Sequence, residues 1–327
     1  MKSEEMTTSE QTQPELNVAP SPHVHTSGMS SFTMMRDVLI ALSPTILVAL
    51  LNFRLLAVKQ LFICIVTCMA AEALFTRMRG RSETLADLSA VVTGAILALS
   101  LPATAPWYVG CIGSAVAIGI GKAVFGGLGM NIFNPAMVGR AFVMIAFAGA
   151  MAASGYIASG QGVDIMSQAT PLTAFKQSGV TTPLTSLFLG TCNGSMGEVS
   201  ALACVLGGLF LCVRRVASWE IPAGVLISAL VWSILANLPN MASEWTFLHH
   251  MLSGALLFGA FFIATDPVTS PLTPKGKWFF GLGIGSIIML LRVFSGYPEG
   301  VMFAVLMLNG LTPLINRWTI PRPFGGA

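Results

Sequence analysis

Charged side chains are scarce in this sequence: they make up 9% of its 327 residues, whereas a soluble globular domain usually carries about 25%. Hydrophobic residues account for 54% of the chain, and its mean hydropathy is +0.76. These values exclude an ordinary soluble domain and indicate a protein whose surroundings are lipid. The formal net charge of +3 is too small to indicate a nucleic-acid-binding protein.

Several cofactor signatures are also missing. The six cysteine residues form no CxxC pair and no CxxCH haem-attachment sequence. They also supply no recognisable iron–sulfur ligand set. The glycine-rich string at 126–129 does not follow a strand in a soluble βαβ unit, so it is not a dinucleotide-binding fingerprint. The sequence therefore predicts that this chain does not itself bind a soluble nucleotide donor.

The N-terminal segment differs in composition from the rest of the chain. Residues 1–31 are rich in Ser, Thr, Glu, Gln and Pro and contain almost nothing to bury. This composition predicts a disordered cytoplasmic tail, and the segment lacks the apolar core of a cleaved signal peptide. Residues 32–327 are predicted to form a single transmembrane domain.

Long apolar runs dominate residues 32–327. A membrane-spanning helix needs roughly 20 mostly apolar residues, and ten segments qualify or nearly qualify. They are 38–56, 58–75, 85–102, 107–124, 136–154, 199–213, 221–238, 248–264, 278–294 and 300–316. The sequence therefore predicts an all-α polytopic membrane protein with about ten transmembrane helices.

The distribution of Lys and Arg predicts the orientation. With ten spans, both termini and the even-numbered loops share one side, which holds 13 of the 17 basic residues. Because basic residues concentrate on the cytoplasmic side, both termini are expected in the cytoplasm. The longest connection, at about 155–198, then lies outside, in the periplasm if the host membrane is a bacterial inner membrane.

A short pattern occurs twice in the chain. Asn134 and Asp266 each stand directly before a proline and shortly after a Phe-Gly dipeptide. Asn and Asp are good helix N-caps, and proline suits the first helical turn. Both positions are therefore predicted helix starts near the membrane, and two duplicated halves are one explanation of the pattern. Chance similarity is the other.

The outer connection carries a strip of small polar residues that ends in a hydroxyl. Thr170 precedes Pro171, and the residue before proline is steered toward extended conformations. Thr170 is therefore expected to present its hydroxyl on an extended, accessible segment that another enzyme can reach. An ordinary turn rich in Ser and Thr is the alternative.

Six strings of this sequence, in this order, resemble one known family. They are PHVH at 22–25, DLSAVVTG at 87–94, GGLGMNIFNPA at 126–136 with GR at 139–140, GSMGE at 194–198, ATDPVTSP at 264–271 and YPEGV at 297–301. From Pro22 onward the chain resembles the D subunit of the Rnf electron-transport complex. It is more distantly similar to the B subunit of the sodium-pumping NADH:quinone reductase, which is expected to be longer than this chain.

The resemblance implies a covalent flavin. In that family FMN is attached through its phosphate to a threonine hydroxyl, by a flavin transferase that works outside the cytoplasm. By resemblance the acceptor is Thr170, with Asp164 and Ser167 at matching offsets, and Thr173 is the alternative acceptor. Gln168 departs from the glycine that is often found in the motif. A second, non-covalent flavin, riboflavin, is implied in the core.

The resemblance also implies a function. The chain is expected to be a subunit of a redox-driven ion translocase of the NADH/ferredoxin oxidoreductase type. It would relay electrons between partner subunits and drive sodium or proton translocation. The alternative from another class is a small-solute channel or secondary transporter with no redox role, which ten spans and a Gly/Pro-interrupted core would also fit.

Ionisable and capping residues in the apolar regions are the remaining site candidates. Asp87, Asn134, Asp266 and Glu299 lie in the family strings, and they are predicted to line an ion route or the second flavin site. For Asn134 and Asp266 the alternative is a helix cap that binds no ligand. Several other charged residues lie near predicted helix ends, where snorkelling to the membrane surface would explain them. Those residues are Glu72, Lys122, Arg140 and Arg292.

Overall fold

Helices account for all the regular structure in the part of the chain that the computed structural model describes, which is residues 30–80, 85–151, 170–179, 181–237, 246–295 and 299–321. The first six helices are α1 (Ser31–Phe53), α2 (Leu55–Met78), α3 (Ser89–Ser100), α4 (Trp107–Ile118), α5 (Pro135–Ala146) and α6 (Ala148–Met151). The others are α7 (Pro171–Ser178), α8 (Leu184–Leu189), α9 (Ala201–Val213), α10 (Glu220–Asn237), α11 (Phe247–Leu252), α12 (Leu256–Phe258), α13 (Pro274–Phe294) and α14 (Val301–Thr319).

The predicted all-helical class is confirmed among the described residues, and each of the ten predicted apolar segments overlaps at least one helix. The segment predicted at 248–264 is broken into α11, α12 and a π-helical turn. Three helices among the described residues, α1, α2 and α13, are long and apolar enough to cross a membrane by length and composition. Several others are apolar but shorter, α3, α5 and α9 among them. Because these helices are shorter than the roughly 20 residues of a membrane-spanning helix, the segments that connect them lie partly inside the protein and are not helical.

Two π-helical turns interrupt the bundle. The first, Gly119–Ala123, continues α4, and the second, Gly259–Ile263, continues α12. Each is followed by a loop and then by a helix whose first residue is proline, α5 at Pro135 and α13 at Pro274. π-Helical turns are rare and are often found at functional sites.

The predicted helix start at Asp266-Pro267 is wrong, whereas the one at Asn134-Pro135 is confirmed. Asn134 caps α5 by accepting a hydrogen bond from the amide of Met137. Asp266 instead closes a turn, because its carboxylate accepts from the amide of Val268 and from the hydroxyl of Thr269. The second helix begins seven residues later, where the side chain of Thr273 caps α13.

A non-helical segment before α9 passes through the protein interior. The amide of Gly197 donates to the carbonyl of Leu99 at 2.7 Å, at the end of α3. A β-carbon on Gly197 would lie 3.1 Å from Leu99 and 3.2 Å from Phe258, so this close approach favours glycine. Non-helical backbone is tolerated at membrane depth only where protein or water covers it, and here protein does so. The segment places Glu198 in the core.

Candidate functional site

Thr170 lies at the N-terminus of α7, where its hydroxyl is the helix cap. Its Oγ1 accepts a hydrogen bond from the amide of Thr173 and lies 2.9 Å from the Thr173 hydroxyl. The backbone is extended there, as the following Pro171 predicts. The expected accessibility is wrong, because Thr170 is only 5% exposed. Its hydroxyl is turned toward its own helix. Asp164, Ser167 and Gln168 lie outside the described residues.

Two basic side chains accompany α7. Lys176, in its last turn, donates to the carbonyl of Ser295 at 2.7 Å. Arg292 on α13 borders Gly254, and Leu172 of α7 touches the same glycine. Partial burial lowers the pKa of Lys176, and the positive charge of Arg292 lowers it further by a smaller amount. The hydroxyl of Thr170 lies at the other, N-terminal end of α7, where the helix dipole favours a phosphate group.

A cavity lies at the opposite ends of the helices from α7, between the two loops that follow the π-helical turns. It encloses about 700 Å³ of empty space, including its mouth. Apolar side chains such as Met35, Ile96 and Phe262 line it. The polar side chains that line it are Ser89, Thr93, Lys122, Asn131, Asn134, Thr265 and Asp266. An apolar cavity with a few converging polar groups is typical of a small-molecule site.

Asp87 reaches this cavity through a chain of hydrogen bonds. The Nζ of Lys122 donates to the Ser89 hydroxyl at 2.5 Å, and that hydroxyl donates to the Asp87 carboxylate at 2.5 Å. The same Nζ donates to Glu72 at 2.6 Å, and both side chains of this ion pair are at most 5% exposed. Lys122 therefore connects two carboxylates to the cavity wall.

Asn131, Asn134 and Asp266 form the other polar wall. The amide nitrogen of Asn134 donates to the carbonyl of Ile263 at 3.3 Å, which joins the two π-helical regions. The Oδ1 of Asn131 is buried without a hydrogen-bond partner. Burial raises the pKa of Asp266 to about 6, despite two hydrogen bonds that lower it. An unpartnered amide oxygen between apolar walls suits a flat heteroaromatic ring that carries an N–H group, as riboflavin does.

Glu299 lies away from this cavity, in a second buried cluster. Its Oε2 accepts a hydrogen bond at 3.0 Å from Nη2 of Arg140, and Glu198 lies 3.7 Å from the same nitrogen. The structure thus brings Asp87, Asn134 and Asp266 around one cavity and places Glu299 elsewhere.

The snorkelling interpretation is wrong for the charged residues of the apolar segments. Glu72, Lys122, Arg140 and Arg292 are all buried, and Arg292 is held by the carbonyl groups of His250 and Ser253. Sequence reasoning named no partners for them, because the contacts join residues more than thirty positions apart. It also passed over Glu198, although GSMGE at 194–198 was one of the matching strings and could have drawn attention to it.

Comparison with known proteins relates the whole chain to one family. The NQR2, RnfD, RnfE family matches residues 17–325. The D subunit of the Na(+)-translocating ferredoxin:NAD(+) oxidoreductase complex of Acetobacterium woodii is 39% identical over 314 residues, 95% of each chain. The D subunit of the proton-translocating ferredoxin:NAD(+) oxidoreductase complex of Clostridium ljungdahlii is 38% identical over 320 residues, 94% of this chain and 96% of the relative. The D subunit of the ion-translocating oxidoreductase complex of Halorhodospira halophila is 39% identical over 337 residues, 93% of this chain and 94% of the relative. The chain therefore belongs to the NQR2, RnfD, RnfE family.

Proposed function

We propose that this chain is a membrane subunit of an ion-translocating electron-transport complex and carries FMN bound covalently to Thr170. The relatives whose names describe such complexes align with it over nearly its whole length. The observation that carries the flavin assignment is the position of Thr170, whose Oγ1 caps the N-terminus of α7 directly before Pro171. When bound, the isoalloxazine ring supplies exchange of one or two electrons.

The residues of this chain hold the phosphate end of the flavin. A phosphoester on Oγ1 of Thr170 keeps an oxygen that accepts the hydrogen bond from the amide of Thr173. The negative charge of the phosphate is favourable at the N-terminus of α7. Asp164 and Ser167 are proposed to serve recognition by the flavin transferase.

We further propose that the cavity lined by Asn131, Asn134 and Asp266 holds the second flavin, riboflavin. Its apolar walls and the unpartnered oxygen of Asn131 support this assignment. Asp87, Asp266 and Glu299 are proposed to serve the ion route. Full ion transport by an Asp266→Asn variant of the assembled complex would contradict the role of that carboxylate.

The proposed topology has ten transmembrane helices in a bacterial inner membrane, with both termini and the tail at 1–31 in the cytoplasm. The connection at 155–198 then lies in the periplasm, where the flavin transferase works. The partners are the other membrane and peripheral subunits of the complex, and the transported ion is sodium or a proton. Similar π-helical turns before α5 and α13 support two related halves.

A denaturing gel tests the covalent flavin directly. The full chain is expressed with its flavin transferase, beside Thr170→Ala and Thr173→Ala variants, and the gel is examined for flavin fluorescence. We expect a fluorescent band in the wild type and in Thr173→Ala, and none in Thr170→Ala, because only Thr170 supplies the ester oxygen. A band lost only in Thr173→Ala would move the attachment site to that residue.

A result without any band has a separate meaning. If the transferase modifies another substrate in the same cells while this chain stays dark, the covalent flavin assignment is wrong. Solute-uptake measurements on proteoliposomes would then test the small-solute channel or secondary transporter.

A further inference from the structure

We propose that Glu198 and Glu299 form a buried site for one monovalent cation, a proton or Na⁺, that is held on carboxylate and hydroxyl oxygens. This inference rests on the proposed ion-translocating function and deepens it by naming the residues that hold the ion. The two carboxylates come from segments distant in sequence, each just ahead of a helix N-terminus, α9 for Glu198 and α14 for Glu299. They meet at the guanidinium group of Arg140 on α5.

Arg140 satisfies only one of the two carboxylates. Its Nη2 donates to Oε2 of Glu299 at 3.0 Å, whereas Oε1 of Glu198 lies 3.7 Å away, too far for a hydrogen bond. Glu198 is 6% exposed, and among the described residues the only other donor beside its carboxylate oxygens, the Ser195 hydroxyl, makes at most a long contact with them. A buried carboxylate in this state is costly unless a proton or another cation compensates its charge.

Further unpartnered oxygens point to a ligand at the same place. The hydroxyl of Ser195 lies beside the Glu198 carboxylate, is 1% exposed and has no other hydrogen-bond partner. Oε1 of Glu299 is also buried without a donor. Together with Glu198 they supply four oxygens beside the guanidinium group of Arg140. Carboxylate and hydroxyl oxygens are the ligands of hard cations rather than of soft metals.

The surrounding groups favour a singly charged ligand over a divalent one. Arg292 on α13 acts on both carboxylates through its positive charge. Its two Nη atoms donate hydrogen bonds elsewhere, to the carbonyl groups of His250 and Ser253. The nearby thiols of Cys192 and Cys204 donate to backbone carbonyls and so add no charge. Two arginines thus balance the charge of two glutamates, so a bound cation adds net positive charge, and the repulsion is smaller for a singly charged ion than for a divalent one.

The test uses the purified full chain in detergent. Its thermal unfolding midpoint is measured against increasing NaCl, with choline chloride keeping the ionic strength constant. The infrared carbonyl band of protonated carboxyl groups is recorded at neutral pH without Na⁺. The variants are Glu198→Gln and Glu299→Gln, and Glu220→Gln, at the start of α10, is the matched control.

A Na⁺ site raises the midpoint with Na⁺ in the wild type and in Glu220→Gln and leaves both site variants unresponsive. A proton site gives no response to Na⁺, but the wild type shows a carboxyl band that Glu198→Gln lacks. A wild-type chain that shows neither a Na⁺-dependent midpoint nor a carboxyl band overturns the proposal. This outcome needs no variant, so it does not depend on whether the variants fold. A Na⁺ response that survives in both site variants overturns it as well.

A milder substitution adds a graded test of the cation site, and the flavin gel tests the proposed function independently of that site. Ser195→Ala removes one neutral ligand, and we expect it to raise the half-maximal Na⁺ concentration about tenfold, as the loss of one hydrogen-bond-sized contact does. For a proton site, it instead shifts the frequency of the carboxyl band. None of these measurements needs flavin. The absence of a fluorescent band at Thr170 would therefore contradict the proposed function and leave the cation site standing, and the reverse also holds.

Discussion

Lys122 is a charged residue in an apolar helix, and its burial depends on Glu72 and Ser89. Transfer of an ion pair out of water costs several kcal/mol per ion, and close contacts must offset that cost. The two hydrogen bonds of the Lys122 ammonium group, at 2.5 and 2.6 Å, supply those contacts. Removal of one partner leaves the other charge buried.

We therefore expect Lys122→Met to lower the free energy of unfolding by about 3–5 kcal/mol. The double variant Lys122→Met/Glu72→Met should recover most of this loss, since it buries no uncompensated charge. The measurement is chemical unfolding of the purified chain in mixed micelles. Lys59→Met, at an exposed position of α2, is the control and should stay within about 0.5 kcal/mol of the wild type. Equal effects of the single and double variants would contradict this account.

Sequence reasoning identified several site residues but not how they are grouped. The family strings named Asn134 and Asp266, and both line the same cavity. The pairings of Lys122 with Glu72 and of Arg140 with Glu299 could not be derived, because ion pairs across a bundle leave no periodic signal in one sequence. Burial of the Thr170 hydroxyl was missed for a similar reason: Thr-Pro predicts an extended backbone but not which way the side chain turns.

At the scale of helices, glycine determines how closely α10 and α13 approach. A β-carbon on Gly281 would lie 2.5 Å from the carbonyl oxygen of Ile221, which is backbone and cannot rotate away. Small residues at such contacts let membrane helices pack closely. Gly283, on the same helix, faces only the end of the flexible Leu308 side chain, at 3.0 Å.

Gly281→Ala should therefore destabilise the protein by about 1–3 kcal/mol, the usual cost of overpacking. Gly283→Ala is the matched control, since it makes the same chemical change on the same helix. We expect it to cost less, because Leu308 can adopt another rotamer. Thermal unfolding of both variants in detergent gives the comparison, and a larger loss in Gly283→Ala would contradict the role assigned to Gly281.

The apolar runs predicted the helices well because about 20 consecutive apolar residues seldom form anything else. The breaks were predicted less well. Asp266-Pro267 looked like a helix start, but an Asp side chain closes a turn as readily as it caps a helix. The cap lies instead at Thr273. The π-helical turns were not predicted, because one extra residue in a helical turn does not change the apolar pattern.

For the whole molecule, the distribution of basic residues predicts which loops face which compartment. Lys176 on α7 and Lys275 on α13 are exposed side chains that the proposed topology places on opposite sides of the membrane. Each can be replaced by cysteine and treated with a membrane-impermeant maleimide. The wild-type chain shows how far its six native cysteine residues react.

In intact spheroplasts we expect Lys176→Cys to react above the wild-type level and Lys275→Cys to match it. Permeabilised membranes should reveal the second site, which shows that its cysteine is reactive. Labelling of Lys275→Cys in intact spheroplasts would reverse the orientation. Labelling of both variants there would mean that the number of membrane crossings between them is even.

The buried Thr170 hydroxyl also has a consequence for how the protein matures. Under the proposed function, an enzyme must reach the hydroxyl of a residue that is 5% exposed, and this hydroxyl already accepts a hydrogen bond from the amide of Thr173. Attachment then requires α7 to lift away from Gly254 and Ser295, a local opening rather than global unfolding. Once the cofactor is esterified and α7 has returned, the linkage is shielded from hydrolysis. Loading is therefore expected early in biogenesis, and each chain would keep its first flavin for life.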